Sequence, residues 1–390
     1  MAESLTRDQQ EMTRILTQTS SSFSLVGDFI ILFGCLRKGP RQWSTYFRII
    51  FFMTIADIIA TVGYVLADIP IPPPDGNGSQ RICTMQGFFE QIGLGAILLN
   101  AALSLNYLFV LKLEWSTEYI KKLEPYGFGF IFVVTFVCAI LPIPLNLYNN
   151  AIIWCWIADP VCEDEGTCDN SVKAFNFQLY LFYIPLWICI VFSTTVMCFV
   201  ISVVYHQDRA VRKMVESDRK KFETTKRIII QALLYVGAFF FTYIFVTILR
   251  IQVYVTGQSG VYTTYLAVFF VPLQGLFNLA GFIFPRAINA RMRMREASLH
   301  IQILYVFFFI EASTVQNNIR KRMRRNSPPS QTHGPEDLEP NIPESETSGL
   351  SQLQAYDSEE VNSSFHGDNS PVGKQKSLND DVHEIELDQL

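Results

Sequence analysis

The sequence predicts an all-α membrane protein: a seven-transmembrane helix bundle with its N-terminus outside and a disordered cytoplasmic tail. Three observations carry this expectation. Charged residues make up only 17% of the 390 and hydrophobic ones 49%, against about 25% charge in an average soluble domain. Four runs, Tyr126–Ile153, Ala174–Tyr205, Ile228–Leu249 and Ile251–Pro285, contain no charged residue. Each exceeds the roughly 20 apolar residues that cross hydrocarbon as a helix. Finally, Lys and Arg gather in alternate connections, as the positive-inside rule requires.

Taken in order, Ile15–Leu36 is uncharged apart from Asp28, Ile49–Ala67 apart from Asp57, and Cys83–Leu111 apart from Glu90. The four uncharged runs supply spans four to seven. The last holds one helix beginning near Val261, because Gly257-Gln-Ser-Gly260 interrupts it. Met1–Arg14 is polar and lacks the apolar core of a signal peptide, so the first span is expected to insert by itself. With the N-terminus outside, nineteen Lys/Arg fall in the segments Arg37–Arg48, Lys112–Lys122, His206–Arg227 and Arg286–Arg295. Only Arg7, Arg14, Arg81, Lys173 and the borderline Arg250 fall on the other side.

Domain organisation follows. Residues 1–14 read as a short extracellular N-terminus. Residues 15–296 hold the bundle and a short inner-face helix over Pro285–Arg295. A membrane-proximal amphipathic and basic segment spans 297–326, including the apolar run Ile301–Ile310. Residues 327–390 carry fourteen acidic residues and two lysines, leaving +7 on the rest of a chain whose net charge is −5. Such a polar, acidic, Ser/Pro-rich tail is expected to be disordered. Its twelve Ser/Thr are potential phosphate acceptors for a kinase and an arrestin-like regulator. No cysteine follows Cys198, so palmitoyl anchoring there is excluded.

The loop Asn149–Cys168 reads NNAIIWCWIADPVCEDEGTC and places Cys155, Cys162 and Cys168 outside, where thiols oxidise. Cys83 opens span three on the same side. Four cysteines allow three pairings. Cys83–Cys155 is favoured, because Trp154 and Trp156 can then lie at the interface beside the anchored helix end; Cys162–Cys168 is a possible second bridge, and one of the four staying free is the alternative. Asn77 in Asn77-Gly-Ser lies in an outer loop and is a glycosylation candidate.

Charges inside a membrane are costly and need a reason. Asp28 lies nine residues from Arg37 and Asp57 nine from Arg48, each about 13 Å along a helix. Asn278 sits eight residues before Arg286, while Asn100 and Asn106 bracket the same depth in span three. This layer either holds water or a cation or simply hydrogen-bonds the helices together. Glu90 and Arg250 form a second layer near the outer face. There they make either a ligand pocket, with Arg250 offering a planar fork to a phosphate or carboxylate, or an interhelical strut. Tyr254 and Tyr262 are pocket candidates beside them, although aromatic belts are normal at that depth. At the inner face Arg212, Lys213, Arg219, Lys220, Lys221, Lys226 and Arg227 make a basic surface for a cytosolic partner or anionic lipid.

The chain resembles a G-protein-coupled receptor of the cyclic-AMP receptor-like, slime-mould type, with secretin-like features. The matching residues are Thr54-Ile-Ala-Asp57, Cys83-Thr-Met-Gln-Gly87, Trp154-Cys-Trp156, Lys226-Arg-Ile228, Leu249-Arg-Ile251 and Pro272-Leu-Gln-Gly-Leu-Phe-Asn278. They run through most of Tyr46–Pro285. The chain departs from the rhodopsin class, with Leu111-Lys-Leu-Glu114 where Asp-Arg-Tyr would stand and Asn278-Leu-Ala-Gly-Phe282 for Asn-Pro-x-x-Tyr. The resemblance implies a plasma-membrane receptor that passes an extracellular ligand signal to a heterotrimeric G protein. It implies no enzyme activity, cofactor, metal or nucleic-acid partner, and it leaves the ligand open; Arg250 points to a small anion.

Other seven-span chemistries can be weighed by residue type. A retinal protein needs a span-seven lysine for its Schiff base, and Val261–Pro285 has none. A metallohydrolase needs clustered ligands, but all five histidines lie outside the spans or at an edge. An ion- or proton-coupled transporter using Asp28 and Asp57 remains the alternative.

Overall fold

The computed structural model describes residues 6–40, 43–73, 76–151, 153–159, 171–211, 216–256 and 258–293. Seven helices among them are long and apolar enough to cross a membrane: Arg7–Lys38, Thr45–Leu66, Gln80–Leu111, Thr117–Ile140, Ala174–Val203, Ile229–Thr256 and Val261–Phe284. The chain is a multi-pass membrane protein.

The first helix, α1 (Arg7–Lys38), starts two turns before the apolar stretch that begins at Ile15. A capping box explains the difference: the Thr6 hydroxyl accepts from the Gln9 N–H, and the Gln9 side chain accepts from the Thr6 N–H. Residues 7–14 therefore belong to α1. Apart from Ile31, the buried face of α1 is polar or small (Thr13, Thr17, Ser20, Ser21, Ser24, Gly27, Asp28, Gly34, Cys35), while Phe23, Val26, Phe29 and Phe33 face outward. That inversion of the soluble pattern fits helices packing by close approach in lipid.

Helices α2 (Thr45–Leu66) and α3 (Gln80–Leu111) pack against each other, with α1 on the far side of α2. Span four is α4 (Thr117–Ile140), not the run Tyr126–Ile153. Ser116 caps its start, and Pro142 and Pro144 follow its end, so Lys121, Lys122 and Glu124 join the helix. Glu124 bonds Arg48 through both oxygens and accepts from the Thr45 hydroxyl at 3.0 Å, tying α4 to α2.

The released apolar segment forms a hairpin where a plain loop was expected. Strands β1 (Tyr148–Asn150) and β2 (Cys155–Ile157) pair antiparallel, with Asn149 opposite Trp156, and lie against α3. Span five runs through α5 (Ser171–Gln178), a π-helical turn (Leu179–Tyr183) and α6 (Ile184–Val211). Span six is the part of α7 (Glu216–Thr256) from Ile229 onward. Span seven joins α8 (Val261–Phe270) to α9 (Gln274–Arg293) through a 3-10 turn, Val271–Leu273. The helix continues through Pro285 to Arg293, so the expected inner-face segment is continuous with span seven.

Two of the prolines inside spans, Pro185 and Pro272, orphan carbonyls that side chains of neighbouring helices satisfy. Pro272 has no N–H for the Val268 carbonyl; the Ser20 hydroxyl donates to it at 3.3 Å. The Gly275 N–H then turns to Ser24 Oγ at 2.8 Å. Pro185 likewise cannot serve the Leu181 carbonyl, which accepts from Gln91 Nε2 at 3.1 Å. Unmet backbone groups are intolerable in hydrocarbon, and here buried protein side chains supply the partners.

Candidate functional site

Cys83 and Cys155 form a disulfide, with Cα atoms 5.1 Å apart across 72 residues. The neighbouring motif residues now have physical roles. Gln86, one turn along α3, donates to the carbonyls of Gly63 and Ala67 at 3.0 and 2.8 Å and accepts from the Cys155 N–H at 3.0 Å. A Cβ on Gly87 would overlap the Tyr148 ring. Burial pushes the Tyr148 phenol far above its ordinary value, with the Glu90 charge adding to it, so it remains a donor, bonded to the Ala139 carbonyl at 2.8 Å. The hairpin is thus bolted onto α3 at this end of the bundle.

Beneath the hairpin lies a layer of polar groups with unused hydrogen-bonding atoms. Glu90 on α3 is 2% exposed, and neither carboxylate oxygen has a hydrogen-bond donor. Its stem packs into the space left at Gly63, where a Cβ would come within 2.9 Å of Cγ. Arg250 on α7 is close enough for its charge to act on Glu90, yet they form no ion pair among the described residues. The guanidinium instead lies 5.6 Å over the Trp156 ring, with Nε unpartnered. The Tyr183 hydroxyl sits beside it without an aligned hydrogen bond. Gln274 of α9 accepts from the Tyr243 hydroxyl at 2.6 Å but leaves its own Nε2 unused.

Four spans therefore contribute open polar atoms, framed by rings of which the sequence singled out only Trp154 and Trp156, and those for the membrane interface. Trp156 packs edge-on against Phe182 and Tyr183, Phe182 against Tyr243, and Tyr64 against Trp154. Gln91 fixes Trp156 by accepting from its indole N–H at 2.9 Å. The π-turn delivers Phe182 and Tyr183 inward, and such turns recur at functional sites. Pro185 inside an apolar run was the available signal for this break. Tyr254 and Tyr262 do not join the site: they are 69% and 84% exposed, at the end of α7 and the start of α8. Tyr254 stacks on Phe175 instead.

The deeper layer is partly assembled. Asn278 Nδ2 donates to Asp57 at 3.2 Å. The carboxyls of Asp28 and Asp57 face each other, and no donor group reaches either oxygen of Asp28. A side chain at Gly275 would overlap the Asp28 carboxyl, which explains the glycine. Asn100 is buried with its side-chain oxygen unpartnered. Asn106 departs from the expected layer and lines a groove between α2, α3 and α4 with Ile49, Glu124 and Phe128, because it projects from a different side of α3.

Asn77 is exposed, as a glycosylation acceptor must be. Cys162, Cys168, Arg212 and Lys213 lie outside the described residues, as does everything from residue 294 onward. Arg219, Lys220, Lys221, Lys226 and Arg227 lie on the first turns of α7, where only the helical backbone is described. A scan against protein-family models finds no match, and no curated protein matches the chain at a significant level.

Proposed function

We propose that this protein is a cell-surface receptor that passes an extracellular ligand signal to a heterotrimeric G protein. The observation that carries the reading is the disulfide-tied mouth, with unused polar atoms of Glu90, Arg250, Tyr183 and Gln274 beneath it on four spans. A ligand at that level would touch the helices whose opposite ends carry the basic segment. The charge asymmetry supports an outside N-terminus, which puts the hairpin outside and the acidic tail in the cytosol. The motifs from Thr54 to Asn278 support the cyclic-AMP receptor-like class. In this reading Arg219, Lys220 and Lys221 meet the G protein, and the Ser/Thr-rich tail takes phosphate to engage an arrestin-like regulator.

A second reading rests on a different observation. Two carboxyls facing each other in a membrane interior, beside a broken span seven, suit an ion- or proton-coupled transporter. Nucleotide exchange on a panel of purified heterotrimers, run beside solute and proton flux in liposomes, separates the two. Exchange without flux supports the receptor; coupled flux without exchange supports the transporter.

A further inference from the structure

We propose that the Glu90–Arg250 site takes a small zwitterion, its ammonium seated against Glu90 and its carboxylate or phosphate against Arg250. This rests on the ligand-site reading of the same residues. Glu90 is 2% exposed and both its oxygens lack donors, so a buried acceptor set stands open. Arg250 lies within its field but does not pair with it, and its Nε is also open. An acid and a guanidinium held near each other but unjoined can together receive a molecule carrying both signs.

A simple anion at Arg250 would leave Glu90 unmatched and set a like charge beside it. A simple cation at Glu90 would leave the guanidinium unused. Charge decides which end goes where: the ammonium meets the Glu90 carboxylate, beside which Tyr64 also lies, and the anionic end meets the Arg250 guanidinium over Trp156. Glu90 is ten residues from the start of α3 at Gln80, and Arg250 six from the end of α7 at Thr256. They lie about 15 and 9 Å along their helices from those ends. The ligand bridges α3 and α7, one charged end on each.

The test uses purified full-length protein in nanodiscs and thermal stabilisation by defined probes. These are glycine, β-alanine, 4-aminobutyrate, 6-aminohexanoate, phenylalanine and phosphoethanolamine, against n-butylamine and butyrate. The expected result is that at least one two-charged probe raises the melting midpoint and neither single-charged probe does. Glu90→Gln and Arg250→Gln should each weaken that probe roughly ten- to hundredfold, as loss of a charged hydrogen bond does. Glu90→Asp keeps the charge and should shift the preferred probe one methylene longer, a readout that survives if the neutral variants do not fold. Phosphoethanolamine outranking the carboxylates would assign a phosphate to the Arg250 end. Stabilisation by butyrate or butylamine equal to the best zwitterion would overturn the proposal, as would no response across the series. Zwitterion binding without G-protein exchange would sink the receptor reading and leave the ligand class standing; exchange with no zwitterion binding would do the reverse.

Discussion

Gln86 holds three backbone groups with one amide: two carbonyls at the end of α2 and the N–H of Cys155. Gln86→Leu keeps much of the volume but strands those groups in a buried place, each costing about 1–3 kcal/mol. The expected loss is about 2–4 kcal/mol, read as a lower thermal midpoint in detergent; an unchanged midpoint would mean water takes over the bonds. Gly275 offers a second single-residue test. Gly275→Val would drive a branched side chain into the Asp28 carboxyl and should destabilise the bundle, as overpacking does, by about 1–3 kcal/mol or more. Gly275→Val as stable as wild type would contradict the close approach of α1 and α9. The value of Asp28, Asp57 and Asn278 as a group was legible in the sequence, because rise per residue gives depth. Asn106 was misplaced for the complementary reason. Depth says nothing about azimuth, and a helix apolar on every side does not announce which face turns inward.

At the scale of elements, the breaks at Pro185 and Pro272 show how apolar runs conceal architecture. Composition located seven spans, and span three, with its polar start, nearly to the residue. It failed for span four, where lack of charge was read as lack of a boundary. Pro142 and Pro144 end α4, the residues beyond them form the hairpin, and the helix instead begins among charges at Thr117. The Thr6 capping box was equally readable but lay outside the apolar stretch. The Ser20–Val268 bond yields a specific expectation about span seven. Ser20→Ala should cost about 0.6–2 kcal/mol, because the carbonyl that Pro272 orphans loses its donor. Pro272→Ala restores an N–H, so in that background Ser20→Ala should cost little. Melts of both single variants and the double variant measure this coupling; strict additivity would show that Ser20 does not compensate for the proline.

For the whole molecule, the disulfide fastens the hairpin over the end of the bundle where the unpartnered groups converge. Cys83→Ser should lower stability by about 2–4 kcal/mol, and reductant should reproduce that loss in the wild type with no further effect on the variant. Larger losses in ligand response than in stability would mark the hairpin as part of the site. The bundle and its tied mouth follow from the chain's own composition and cysteine placement. The proposed ligand site does not, since Trp156, Phe182 and Tyr183 come from a hairpin and a π-turn that no periodicity encodes. The central claim is that signal enters at this mouth and leaves through the basic start of α7. Its most direct test is guanine-nucleotide exchange by heterotrimers on purified full-length protein in nanodiscs, alone and with the probe series above. The receptor account predicts exchange above the rate without protein, lost when Arg219, Lys220 and Lys221 are reversed to Glu while probe binding persists. No exchange from any heterotrimer, together with ion or proton flux that disappears in Asp28→Asn, would contradict it and assign the carboxyl pair to transport.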